Sequence, residues 1–179
     1  FRSIVRRAPY IGGRGEGEVW MNRAVWALGT MSGTSMDGVD GALVLTDGET
    51  IGDFGDSAFE PYTPDERETL RAAQGRWPGE PGVAEAAGVV EQAHLRLLGR
   101  LAGAEVIGFH GQTLAHEPGG RGTHQIGNGR RLSEALGLPV VWDFRSADVA
   151  LGGQGAPLAP FYHFALARRL GAAAPTGFL

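Results

Sequence analysis

Between residues 29 and 41 the chain reads GTMSGTSMDGVDG, setting Gly29, Gly33, Gly38 and Gly41 among Ser32, Thr34, Ser35, Asp37 and Asp40. Glycines let a backbone turn sharply and approach a ligand closely. Hydroxyls and exposed N–H groups can then cradle a phosphate. Asp37 and Asp40 offer hard oxygen ligands to a hydrated magnesium ion. An ordinary polar hairpin would have the same composition, and the residues alone leave both readings open. Two sharper motifs fail. A Walker A loop needs lysine where Val39 stands, and a nucleophile elbow needs glycine where Asp37 stands.

Three further clusters have chemical potential. HGQT, His110 to Thr113, follows the apolar run Val106 to Phe109 and suits hydrogen bonding to a polar ligand, with a histidine satisfied by nearby backbone as the equal alternative. Asp143 follows the apolar PVVW directly, which would fix its carboxylate at a strand end as a candidate general base. Arg145, or a cation, would lower its pKa, and burial beside Trp142 and Phe144 would raise it. Asp148 is a second candidate, and a structural Asp–Arg pair or turn cap is the plainer alternative for both. GGQGAP, Gly152 to Pro157, permits close backbone approach, with Gln154 as a possible ligand contact or simply part of a helix-entry loop. His110, His116 and His124 match no familiar zinc-ligand spacing.

The elements that must position these clusters follow from periodicity. Val25 to Thr30, Gly41 to Thr46 and Ile51 to Phe59 read as three antiparallel strands, the last two joined at the Asp47-Gly48 turn signal. Thr63-Pro64-Asp65-Glu66 has capping-box spacing and opens a helix running to about Gln74. A second helix begins near Val83, with Ala86, Val90, Ala93, Leu97 and Leu101 on one stripe and Gly103 at its end. Val106 to Phe109 and Val140 to Trp142 read as buried strands. A small hairpin is expected before Ile126, and helices over Arg130 to Leu136 and about Pro160 to Leu170. The result is a mixed α/β sheet with packed helices. In such sheets ligands gather at the carboxyl ends of strands, where the first turn, HGQT and DFR all fall.

Composition narrows the function classes. The chain has 179 residues and a net charge of -4, which argues against a nucleic-acid or membrane-surface protein, since both need a basic patch. No apolar run approaches the ~18 residues of a membrane-spanning helix. Cysteine is absent, which excludes disulfides and thiolate metal sites. Lysine is absent too, so neither a Schiff base nor a P-loop lysine is available. Residues 1–20 lack a signal-peptide core and read as a non-native or disordered extension, with Met21 as the expected native start.

The stretches GTMSGTSMDGVDGAL, IGFHGQT, HQIGNGRRL and VVWDFRSADVALGGQGAPLAPFYH, in this order, resemble the anhydro-N-acetylmuramic acid kinase family of bacterial cell-wall recycling. The resemblance spans roughly Ala27 to His163 and implies an actin-like, ribonuclease-H-like ATPase lobe of the sugar kinase and Hsp70 superfamily. It implies ATP and Mg2+ as cofactors. Gly33, Thr34, Ser35, Met36, Asp37, Gly38, Val39 and Asp40 would form the ATP phosphate loop, and Asp143 would be the catalytic base. His110, Gln112, Thr113, Arg145 and Gln154 would line the pocket of the anhydro-muramyl sugar. It further implies a cytoplasmic enzyme, homodimeric at full length. Residues 21–179 correspond to the N-terminal lobe, and a second lobe completing the nucleotide site is expected to be absent from this chain. The chain alone is therefore expected neither to turn over nor to bind ATP tightly. A sugar-binding remnant without catalysis, and a small hydrolase using Ser35 with a histidine, are the alternatives. Asn128 stands where the family usually has aspartate.

Overall fold

A computed structural model describes residues 23–172. The expected N-terminal extension and the expected start at Met21 lie outside the described residues. Strands β1 (Val25–Ser32), β2 (Gly38–Thr46) and β3 (Ile51–Pro61) form the antiparallel meander. Strand β3 runs two residues past the expected Phe59, because Glu60 and Pro61 still pair with Val39 and Gly38. Helices α1 (Pro64–Ala73) and α2 (Val83–Leu98) follow, then β4 (Val106–Glu117), β5 (Gly122–Ile126), α3 (Gly129–Leu136), β6 (Val140–Trp142), α4 (Ser146–Ala150) and α5 (Ala159–Arg169). The sheet order is β3-β2-β1-β4-β5, with β6 also on β4. β4 is parallel to both β1 and β6.

Local chemistry explains the ends of the helices. The Glu66 N–H donates to the Thr63 hydroxyl and the Thr63 N–H donates to the Glu66 carboxylate, completing the capping box of α1. Asn128 caps α3 by accepting from the N–H groups of Arg130 and Arg131. α2 stops at Leu98, short of the expected Gly103. The Arg100 and Leu101 N–H groups bond the carbonyls of Leu97 and Leu98 in a tighter turn, and Leu101 folds back onto the core.

One face of the sheet carries the core. Ala86, Val90, Ala93, His94 and Leu97 of α2 are fully buried there with Leu70, Phe109 and Leu132. β1 alternates accordingly: Leu28, Thr30 and Ser32 are buried against the helices, while Gly29 and Met31 are exposed on the opposite face. β4 was expected to end at Phe109, but it continues through HGQT to Glu117 by changing partner. β6 pairs Ile107 to Phe109, and β5 pairs from Gln112 onward. At the change Gly111 is an extra residue, because Thr30 aligns with Phe109 and Ser32 with Gln112. This bulge needs glycine. Its φ is +69°, and a Cβ there would stand 2.4 Å from the Ile126 carbonyl oxygen.

Candidate active site

β1, β4 and β6 run in the same direction, with Thr30, Phe109 and Trp142 aligned in one row. The loop after Ser32 and the carboxylate after Trp142 therefore leave the same end of the sheet. At about 5 Å per strand, the two chains emerge about 10 Å apart. Ser35 and Asp143 thus lie on segments that leave the same end of the sheet.

Asp143 has a backbone φ of +58°, a left-handed conformation that aspartate adopts only at some cost. Trp142 packs on Gly129, where a Cβ would meet the indole at 2.4 Å, and on the other face the Phe144 ring lies 3.7 Å from where a Cβ of Gly108 would stand. The carboxylate itself is exposed and accepts a hydrogen bond from the Ser146 hydroxyl at 2.5 Å.

The open face of β4 gathers the other two clusters. Arg145 donates through Nη1 to the Thr113 hydroxyl at 3.1 Å and through Nε to the Gly155 carbonyl at 2.7 Å. The Gly155 N–H in turn donates to Asp148 at 2.7 Å. HGQT, DFR and the glycine turn are thereby fastened together, and Gln154 stands exposed between two anchored glycines. Asp148 is thus engaged in holding the turn. Burial lowers the pKa of His110 below the usual histidine value; its contact with the Gly111 carbonyl opposes this and the charge of Arg145 adds to it. Its Nδ1 lies 3.0 Å from that carbonyl, so the neutral ring donates there and leaves Nε2 as an acceptor.

In the first loop the Met36 N–H closes a turn on the Gly33 carbonyl, and Met36 itself has φ +51°. Thr34 and Ser35 are exposed. The Ser35 hydroxyl donates to Asp37, and this bond, ahead of the backbone N–H groups of Asp37 and Gly38, lowers the Asp37 pKa. The glycines divide into two kinds. A Cβ at Gly29 would meet nothing within 4 Å, whereas at Gly38 it would strike the Glu60 carbonyl at 2.4 Å and at Gly41 the Leu97 side chain at 2.7 Å. Gly38 and Gly41 serve close packing, and Val39 is wholly buried. Asp40 instead lines a shallow open-face groove of about 570 Å³ with Gly29, Met31 and Phe59. Asp37 and Asp40 are exposed carboxylates, hard oxygen donors of the kind magnesium takes one or two of beside phosphate and water. Among the described residues no cluster of three or more acidic or histidine side chains could hold a metal by itself.

Gln112 does not join His110. The bulge turns it to the helix-covered face, fully buried, where it accepts from Ser32. Tyr62, which nothing in the sequence singles out, lies beside them with its hydroxyl 2.9 Å from that of Ser32.

The description of the anhydro-N-acetylmuramic acid kinase family matches residues 25–174. The chain belongs to this family. A relative from Cereibacter sphaeroides with that name is 72% identical over 156 residues, 87% of this chain and 42% of its own length. One from Roseobacter denitrificans is 56% identical over 87% of this chain and 41% of its own length. A more distant one from Rhodopseudomonas palustris is 46% identical over 86% of this chain and 46% of its own length. The chain thus spans about two fifths of the curated kinases it matches. The mixed sheet with its meander and packed helices is the actin-like sugar kinase architecture of the family. No helix among the described residues is long and apolar enough to cross a membrane. Asn128 also finds its explanation in the fold: as the cap of α3 it uses a side-chain oxygen that aspartate would supply equally well.

Proposed function

We propose that this chain forms the lobe of a kinase that opens 1,6-anhydro-N-acetylmuramic acid with water and phosphorylates it at O6. ATP is the phosphoryl donor, and the products are N-acetylmuramic acid 6-phosphate and ADP. The observation that carries the proposal is the shared end of the sheet: the 33–37 loop and Asp143 leave β1 and β6, parallel strands that flank β4, at the same end.

In this reading the turn Gly33 to Asp37 receives the phosphates through backbone N–H groups and the hydroxyls of Thr34 and Ser35. Gly38 and Val39 contribute backbone and packing only. Magnesium, when bound, would neutralise charge on the transferring phosphate, and Asp40 and Asp37 are the carboxylates that would hold it. Asp143 takes a proton from water as the oxygen attacks the anomeric carbon. The bond from that carbon to the bridging oxygen breaks, and O6 accepts the γ-phosphoryl group. His110 Nε2 accepts from a sugar hydroxyl, and Gln154 donates its exposed amide. Thr113 and Arg145 shape the pocket through their mutual bond, and Gln112 acts from beneath. The whole protein works as a cytoplasmic homodimer in the recycling of cell-wall sugars.

The test is Asp143→Asn in the whole protein, read as turnover and ATP affinity together. Turnover should fall by at least ~10²- to 10⁴-fold, the usual contribution of a general base, while ATP affinity changes less than about twofold. A variant near the wild-type rate removes Asp143 from the mechanism.

A further inference from the structure

Ser32 of β1, Gln112 of β4 and Tyr62 in the turn between β3 and α1 are buried polar residues, each 5% exposed or less. Their hydrogen bonds have one consistent direction. The Gln112 amide nitrogen donates to the Thr113 carbonyl at 3.2 Å, which identifies its other end as oxygen, an acceptor only. The single Ser32 hydroxyl hydrogen therefore goes to Gln112. With no hydrogen left on Ser32, the Tyr62 hydroxyl must be the donor in their 2.9 Å contact. Burial, opposed by this bond, pushes the Tyr62 pKa up to about 12, so the phenol keeps its proton.

Tyr62 also holds the far end of the first loop. Its backbone N–H donates to the Asp37 carbonyl at 3.0 Å. The loop begins after Ser32 and closes at Asp37, so one residue at the entry of α1 grips both ends. Through Ser32 and Gln112 the same line reaches Thr113, whose hydroxyl accepts from Arg145. A continuous run of hydrogen bonds joins the glycine loop to the bulge of β4 through the core.

We propose that Tyr62, Ser32 and Gln112 are positioning residues that couple the 33–37 loop to the Gly111–Thr113 bulge, so that a ligand in the loop alters the strand bearing His110 and Thr113. A buried polar network left partly unsatisfied is costly, which favours joint over separate rearrangement. Adjacency alone would not establish coupling, and the test therefore reads both ends.

The whole protein, labelled with nitrogen-15, is titrated with Mg·ADP as wild type and as Tyr62→Phe. Wild type should show amide shifts at 35–37 and at 111–113, and Tyr62→Phe at 35–37 only. A loop response with the bulge silent, or unchanged by the variant, overturns the coupling. This arm rests on the nucleotide reading of the loop, and no response at 35–37 would count against that reading instead. Amide exchange without ligand then decides the coupling by itself. Tyr62→Phe should accelerate exchange of the Tyr62 N–H and of the Gln112 and Thr113 N–H groups about tenfold, the effect of one lost buried bond. Acceleration confined to Tyr62 overturns it. Should the variant fail to fold, exchange of the wild type in sub-denaturing urea gives the answer: one shared opening at both segments supports coupling, and two independent openings overturn it.

Discussion

Across β1 and β4 the helix-covered face carries Leu28, Thr30, Ser32, Ile107, Phe109 and Gln112, all buried, whereas the opposite face carries Gly29, Met31, Gly108, His110 and Thr113. The same two strands thus supply packing on one side and an open glycine-floored surface on the other. On the proposed reading, the alternation of side chains separates stability from chemistry. The bulge at Gly111 is the place where residues change sides.

The sharpest test of that separation is a pair of truncations. Phe109→Ala removes a fully buried ring set edge-on to His94 at 4.7 Å and should cost about 3–5 kcal/mol in urea unfolding. Val141→Ala on the exposed face should change stability by no more than about 0.5 kcal/mol. Equal losses would break the comparison.

The next effect is pH dependence. Burial, opposed by the bond to the Val90 carbonyl, lowers the His94 pKa to about 4 from 6.5. Between these values the unfolded chain binds the proton that the folded chain refuses. The contribution of a neutral His94 is thus fully present above pH 6.5 and is lost as pH falls toward 4. The loss should approach about 3 kcal/mol, measured as urea unfolding at pH 7 and pH 4 against His94→Gln, which should lack most of this slope. His110, on the open side, is partly buried and should contribute less.

Gly129→Ala tests the seat of Trp142. A Cβ 2.4 Å from the indole must displace it, at about 1–3 kcal/mol. The Asp143 amide resonance should move with the ring; an unmoved Asp143 would show that the flanking aromatic does not hold it. Smallest of all, Asn128→Asp should alter the melting free energy by less than about 0.5 kcal/mol, since either side chain caps α3. A larger change would give Asn128 a role beyond the cap.

Much of this was legible in the residues. The capping box at Thr63, the stripe on α2 and the meander follow from spacing, because each depends on contacts close in sequence. The bulge does not. Read with a strict period of two, His110 and Gln112 share a face, and only the approach of the Ile126 carbonyl to Gly111, a contact 15 residues distant, reveals the extra residue. Gly111 was the available signal, since an isolated glycine within a strand marks a bulge. Tyr62 left no signal of any kind, as its partners come from β1, the loop and, through Ser32, β4. Helix α4, five residues long, is too short to show periodicity.

The left-handed backbone at Asp143 has a consequence for how the proposed mechanism trades durability against work. Asparagine tolerates that conformation more readily than aspartate, and its amide oxygen can still receive the Ser146 hydroxyl. Replacing the carboxylate should therefore yield a protein that is silent yet melts slightly higher, by a few tenths of a kcal/mol. In the proposed mechanism the less comfortable residue is the one that can take up a proton, which asparagine cannot.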